Sequence, residues 1–387
     1  MTLVPLKDKK FDCSGCRACE EVCPKHCIKM IEDEHGFVYP LVDKETCIDC
    51  HLCKKKCPFM LPYGKNNIMK AYVGILGEDE VKRSASGGAF WAMCQLLIPK
   101  GYKVVGAKWD EKFQVIHDVA KTEEQAALFR KSKYVMSNTN GVYKKVKDII
   151  RNGGKVMFTG TPCEVAACKK LVGDNPNLLL VDLVCHGAPG QNLFDQEVAY
   201  LQDKHKGKLE HFAFRNKRPI NGKVNSRSAF YKINGEKRYV QINDDPFLKG
   251  YYSRLFYRPS CMKCVFASSQ RVGDITIADA WHINQIYSDL DELSGVSLML
   301  ANTGKGAELI DTLKTVLNLR EVDVAWAIAS NKQLQKPTES HKNRDYFFWL
   351  MQRHGFADAV EMATSSTLVG KIRGRLFNMF YRKGNGI

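Results

Sequence analysis

A chain of 387 residues, with 44% hydrophobic and 26% charged side chains, is ordinary globular material and long enough for two or three domains. Its formal net charge of +16 invites a nucleic-acid partner, but the lysines and arginines are spread along the chain without a nucleic-acid-binding motif, so no nucleic acid is expected. Acidic electron carriers, anionic cofactors and acidic membrane surfaces are the expected complements, because long-range attraction speeds encounter with each.

Residues 1–13 hold no apolar run of signal-peptide length, and nowhere does the chain approach the roughly 18 uninterrupted apolar residues of a membrane span. A cytoplasmic protein is expected. Nine of the fifteen cysteines precede residue 58, which points to metal binding in a reducing compartment. They form a repeat: Cys13-x-x-Cys16-x-x-Cys19-x-x-x-Cys23-Pro24, then Cys47-x-x-Cys50-x-x-Cys53-x-x-x-Cys57-Pro58. This is the bacterial two-cluster ferredoxin run, in which the fourth Cys of each copy ligates the other cluster. One [4Fe–4S] cluster is expected on Cys13, Cys16, Cys19 and Cys57, the other on Cys47, Cys50, Cys53 and Cys23. Zinc sites use two Cys pairs with a longer gap between them, and disulfides need an oxidising compartment.

Between the two runs, residues 28–42 alternate around His35-Gly36 and suit a hairpin, with Cys27 as a packed thiol outside the motif. Residues 61–69 (LPYGKNNIM) look like a linker. Strands and helices then alternate. Strands are expected at 71–76, 101–109, 115–120, 155–160, 177–185, 209–215, 227–233, 271–281 and 296–302. Helices are expected from an opening over Ser84–Phe90 to near Ile98, at 123–132, 141–151, 162–172, 191–204 and 246–256, and from Lys305. Such a pattern predicts an α/β domain with a mixed sheet covered by helices. The expected organisation is a ferredoxin domain (1–62), an α/β domain (70–335) and a basic helical extension (336–387). Within that extension Lys371, Arg373, Arg375, Arg382 and Lys383 interleave with apolar residues without an acid. Such a helix packs on its own domain or a partner subunit, or lies on a membrane surface.

Three stretches of the α/β region carry chemistry. Ser86-Gly87-Gly88 opens a helix, where free amides and close backbone approach favour a phosphate. Gly160-Thr161-Pro162-Cys163 runs from a strand into a helix whose N-terminus favours a thiolate. Cys185 ends a strand, and Cys261-x-x-Cys264 follows Pro259. Cys163, Cys185, Cys261 and Cys264 can converge at the strand ends where α/β domains place ligands. By spacing alone they fit a third [4Fe–4S] cluster or a structural zinc equally well. Cys94 and Cys168 fall within helical patterns and are expected in the core.

Ser86-Gly87-Gly88, Ser132-Lys133-Tyr134, Gly160-Thr161-Pro162-Cys163, Cys185-His186-Gly187, Cys261-x-x-Cys264 and Gly273-Asp274-Ile275-Thr276 through Asp279-x-Trp281 occur in one order. Together they resemble the coenzyme F420 hydrogenase/dehydrogenase beta-subunit family, in the form that carries an N-terminal two-cluster ferredoxin. The resemblance covers roughly residues 10–285. It implies a flavin-dependent oxidoreductase that binds FAD and passes electrons between iron–sulfur clusters and a hydride-carrying partner, a deazaflavin in archaeal relatives. By position it implies that Cys163, Cys185, Cys261 and Cys264 hold a third cluster next to the flavin. Ser86, Gly87 and Gly88 would line the FAD phosphates. Lys133, Tyr134, Asp279 and Trp281 would face the isoalloxazine ring or the substrate pocket, with Lys133 the catalytic candidate. The partners implied are ferredoxin or another acidic electron carrier, a hydride-carrying cofactor or organic substrate, and a partner subunit or second copy. Two alternatives stand beside this reading: an electron-transfer subunit without substrate chemistry of its own, and a ferredoxin-dependent reductase of an organic molecule.

Overall fold

The computed structural model describes residues 10–60, 65–217 and 228–384. The linker expected over 61–69, the start of the strand expected at 227–233 and the outer ends of the first and last expected domains therefore lie partly outside the described residues. Thirteen strands are described: β1 (Ile28–Glu32), β2 (Val38–Val42), β3 (Lys70–Ile75), β4 (Tyr102–Trp109), β5 (Val115–Ala120), β6 (Lys155–Gly160), β7 (Leu178–Leu183), β8 (Leu209–Asn216), β9 (Ser228–Ile233), β10 (Glu236–Val240), β11 (Ile275–Asp279), β12 (Ser297–Ala301) and β13 (Asn318–Val322).

The two cysteine runs fold alike. In each, the residue after the second Cys, Arg17 or His51, takes a left-handed conformation (φ 60° and 57°) and starts a single helical turn, Ala18–Val22 or Leu52–Lys55. A reversal at that point lets the second and third thiols face one centre. Between the runs, β1 and β2 pair antiparallel from Ile28↔Val42 to Glu32↔Val38. Their turn is held by Asp33, whose carboxylate accepts the amides of His35 and Phe37 at 3.0 and 2.9 Å.

The large sheet has the order β13-β3-β12-β11-β7-β6-β4-β5. Its centre, β4-β6-β7-β11, is parallel; β5 on one side and β12, β3 and β13 on the other run antiparallel. Parallel strands need both faces covered, and both are. Helices Ala89–Leu97 and Gly304–Leu313 share a core with one face, while Val142–Arg151 and Pro162–Val172 share one with the other. The chain is thus a mixed α/β fold, as its alternation predicts.

A three-stranded antiparallel sheet, β10-β9-β8, stands apart and shares an aromatic-rich core with helices Gln191–His205, Pro246–Tyr252, Arg344–His354 and Phe356–Thr364. Phe37 and Tyr39 of the N-terminal hairpin belong to that core too. The last helix, Leu368–Gly384, rests on Arg344–His354 through Phe377, whose ring lies 5.0 Å from Tyr346 and 5.3 Å from Trp349. Leu368, Ile372, Leu376 and Met379 of that helix face outward. Among the described residues no helix is long and apolar enough to cross a membrane.

Some boundaries differ from expectation. The helix expected at 123–132 spans only Glu123–Ala127, because the Lys133 ammonium donates to the carbonyls of Leu128 and Arg130 (3.0 and 2.8 Å) and turns the chain. The strand expected at 271–281 spans only Ile275–Asp279. Its start is drawn off by Arg271, which pairs with buried Asp182 at 2.7 Å.

Candidate functional site

The folded repeat gathers the thiols in two sets. Cys13 and Cys57 lie close enough to disfavour ionisation of Cys16, and all three to disfavour that of Cys19. Burial pushes the Cys16 thiol up to about 12, with Cys57 and Cys13 adding to the rise, and burial followed by Cys16, Cys13 and Cys57 pushes Cys19 well up. Four crowded thiols of this kind are a cation site in waiting, since bound metal is what deprotonates them. Cys23, Cys47, Cys50 and Cys53 line a second, small cavity of about 30 Å³ together with Cys27. Cys50 is exposed. Cys27 is packed, as expected, but is also a neighbour of the set: its sulfur lies 3.3 Å from that of Cys23. Burial opposes the Cys23 thiolate, yet the bond from Cys27 and nearby amides outweigh it and hold its pKa below the usual thiol value.

Cys163, Cys185, Cys261 and Cys264 form a third set at the carboxyl ends of β6 and β7. Thr161 caps helix Pro162–Val172 in a reciprocal box with Glu164, whose carboxylate accepts the Thr161 amide at 2.7 Å. This fixes Cys163 in the first turn. The helix N-terminus does not prevail there: burial, then the neighbouring Glu164 charge, pushes the Cys163 thiol well up. Cys185 is likewise raised by burial, then by Cys261 and Cys264, and Cys261 by burial, then by Cys264. Cys94 and Cys168 are fully buried in the helical core, as expected.

Beside this set opens a cavity of about 730 Å³, lined by the ends of β6, β7 and β11 and by the 84–91 and 129–137 segments. Ser86, Gly88, Lys133, Tyr134, Asp279, Trp281 and Cys185 all reach it. Gly87 does not line it: its Cα faces the sheet, where an added Cβ would fall 2.2 Å from the Gly74 carbonyl and 2.5 Å from the Ser297 amide. Ser86 is turned inward as well, donating its hydroxyl to the Val296 carbonyl at 2.8 Å. Lys133 reaches the cavity with an ammonium already bonded to backbone carbonyls, while burial, then Lys131, pulls its pKa down to about 7. The Asp279 carboxylate accepts from the buried Arg215 guanidinium at 2.7 Å. Tyr134 stacks on Tyr251 at 4.4 Å.

Several lining groups are not signalled by motif. Arg130, Lys131, Arg215 and Arg254 give the cavity a cationic wall. Arg130 is held by Glu80 at 2.6 Å and lies over the Trp91 ring at 4.5 Å. His117 and Glu164 meet in the wall, both buried, with Nε2 and Oε2 3.9 Å apart. Nε2 faces the Thr159 carbonyl, which can only accept, at 3.0 Å, and Nδ1 pairs with the Ser137 hydroxyl at 2.7 Å. Glu164 follows Cys163 directly in sequence, the one hint of its place; His117 has none, because only the sheet order brings β5 and β6 within reach.

Thiol sets in a doubled ferredoxin run, packed against an α/β domain with a cation-lined cavity, define an iron–sulfur electron-transfer protein. Comparison with known proteins agrees. Residues 12–60 match the 4Fe-4S dicluster domain, and residues 153–324 match the C-terminal part of the coenzyme F420 hydrogenase/dehydrogenase beta-subunit family. The α/β region is thus similar to that beta-subunit family over residues 153–324, and a dicluster domain precedes it. An uncharacterised ferredoxin of Methanocaldococcus jannaschii is 41% identical over 46 residues, which are 12% of this chain and 58% of that relative. The chain therefore spans less than two thirds of that ferredoxin. A solved chain of the F420-reducing [NiFe] hydrogenase complex from Methanosarcina barkeri has a similar course, with a TM-score of 0.47 at 17% identity over 71% of this chain and 91% of that one.

Proposed function

We propose that the chain is a cytoplasmic flavin-dependent oxidoreductase that exchanges electrons between its iron–sulfur thiol sets and FAD held in the large cavity, with hydride exchange to a deazaflavin or another organic molecule there. The observation that carries this reading is adjacency: Cys185 lines the same cavity that Ser86, Gly88, Tyr134 and Trp281 line. The cavity's size lies in the roughly 300–1,000 Å³ range of cofactor sites, and its arginines and lysines suit a pyrophosphate. Bound FAD would supply the conversion between two-electron and one-electron chemistry. The chain's own work is to hold the anionic cofactor against Arg130 and Lys131, to keep Asp279 fixed on Arg215, and to offer a buried imidazole at His117.

We take the third thiol set as a [4Fe–4S] site because it sits beside the cavity, which Cys185 lines. The deciding experiment is metal and flavin analysis of protein purified without oxygen. About twelve irons and one FAD are expected. About eight irons without flavin would remove the flavoenzyme and leave the electron-transfer subunit; eight irons and one zinc would make the third set structural. A ferredoxin or similar acidic carrier is the expected electron partner of the basic surface.

A further inference from the structure

Among the described residues, Arg258 is the most buried cation that faces no carboxylate. Its residue is 1% exposed. Arg271 and Arg215, the comparable buried arginines, each hold a carboxylate at 2.7 Å, on Asp182 and Asp279. Among the described residues no carboxylate lies within ion-pair distance of Arg258. Its Nε donates to the Cys13 carbonyl at 2.6 Å and its Nη2 to the Val38 carbonyl at 2.7 Å, with the same Nη2 3.8 Å from the Cys13 sulfur. The guanidinium also lies over the Tyr39 ring at 4.3 Å. Gly15 leaves the space: a Cβ there would come within 3.0 Å of Nη1.

The backbone of the same residue belongs to the third set. The Arg258 amide donates to Ala188, three residues beyond Cys185, at 3.1 Å, and the Arg258 carbonyl accepts from the Cys261 amide at 3.0 Å. One residue thus spans two thiol sets, main chain on one and side chain on the other.

We propose that Arg258 is the built-in countercharge of the Cys13, Cys16, Cys19 and Cys57 set and the positioning residue that fixes this set against the Cys261 loop. Burying an unpaired cation is strongly unfavourable, so a negative group must answer it. Four thiolates outweigh the positive iron–sulfide core they hold, and a fixed positive charge beside one of them stabilises the reduced, more negative state. The inference rests on that set carrying a cluster.

The test is an EPR-monitored redox titration of the full chain, purified without oxygen, with Arg258→Met and Arg258→Lys beside the wild type. Arg258→Met is expected to shift one cluster potential to more negative values, the one whose signal Cys57→Ala abolishes, and to leave the signal that survives Cys57→Ala in place. Arg258→Lys, which keeps the charge but cannot keep both carbonyl bonds and the sulfur contact, is expected to recover most of the shift. Identical potentials in wild type and Arg258→Met overturn the proposal. So does an Arg258→Lys protein as shifted as Arg258→Met, which would mean a packing role. Should Arg258→Met fail to retain iron, Arg258→Lys decides: full iron at near-native potential supports the countercharge, and equal iron loss overturns it. Wild-type protein with fewer than about eight irons would instead remove the cluster reading itself.

Discussion

Two stretches of nearly the same motif end in unlike surroundings. The Cys13 set is docked: the Cys16 carbonyl accepts from Tyr143 and Thr139, each at 3.1 Å, Ala18 is buried in the sheet's helical core, and Phe59 meets Phe266 edge-on at 5.2 Å. Cys16, Cys163 and Cys264 pack against a single hydrophobic cluster. The Cys47 set keeps Cys50 exposed, and a small open cavity beside it. The repeat makes two similar sites; the second domain makes them different. The docked set shares a hydrophobic cluster with the third set, while the other keeps a thiol open to the outside.

That contrast is broken or sharpened most strongly by removing a thiol from each side. Cys57→Ala and Cys50→Ala should each lose about four irons, but only Cys57→Ala should also lower Tm by several degrees, at roughly 2–4 °C per kcal/mol, because its site is part of the packed junction. Equal Tm losses would dissolve the distinction between docked and open sets.

A second variant shifts the whole fold without touching either set. Glu197 and Asp245 are buried, and both Glu197 oxygens and Asp245 Oδ2 lack hydrogen-bond partners. Burial, then the Asp245 charge, pushes Glu197 well up; burial pushes Asp245 up to about 6. Carboxyls with raised pKa hold protons in the folded state that the unfolded chain releases. Stability is therefore full below the ordinary carboxylate range and falls as pH rises through about 6. Glu197→Gln should raise stability at pH 8 by on the order of 1–3 kcal/mol, flatten this fall, and leave iron content unchanged. Denaturant melts from pH 5 to 8 would check it, and a fall as steep as that of the wild type would assign the pH dependence elsewhere.

Smaller effects resolve the two sets one bond at a time. Tyr143→Phe removes one of two donors to the Cys16 carbonyl and should reduce stability by about 1 kcal/mol, with little change in the outer site's spectrum. Cys27→Ala removes the thiol beside Cys23 and should move only the outer cluster's potential, to more negative values, since hydrogen bonds to cluster sulfurs raise it. Cys27→Ser, which keeps a donor, should move it less. Voltammetry of the two variants would show which wave responds.

Much of this was legible in the sequence because it is local. Cysteine spacing marks the thiol sets, and strand–helix alternation marks the parallel core of β4, β6, β7 and β11. What was not legible depends on pairing across the fold. β10 and β13 are short and edge-placed, and only their partners β9 and β3 make them strands. Arg258 reads as an ordinary arginine before Pro259 until the hairpin closes over it. Gly87, grouped with a phosphate-binding start, is required by the approach of β3 and β12. The His117–Glu164 contact exists because β4 lies between β5 and β6 and lets a side chain reach past it.

The seating of the β1–β2 hairpin has one more consequence. Phe37 and Tyr39 are sealed in the core, and His35 stacks on Phe348 at 3.9 Å. With the hairpin seated there, the thiols of the Cys13 set are only partly exposed, whereas Cys50 is exposed. The site holding Cys50 is therefore expected to lose and regain its inorganic contents more readily on the finished protein than the site beneath the hairpin, so that the two halves of one repeat would differ in how easily they are repaired.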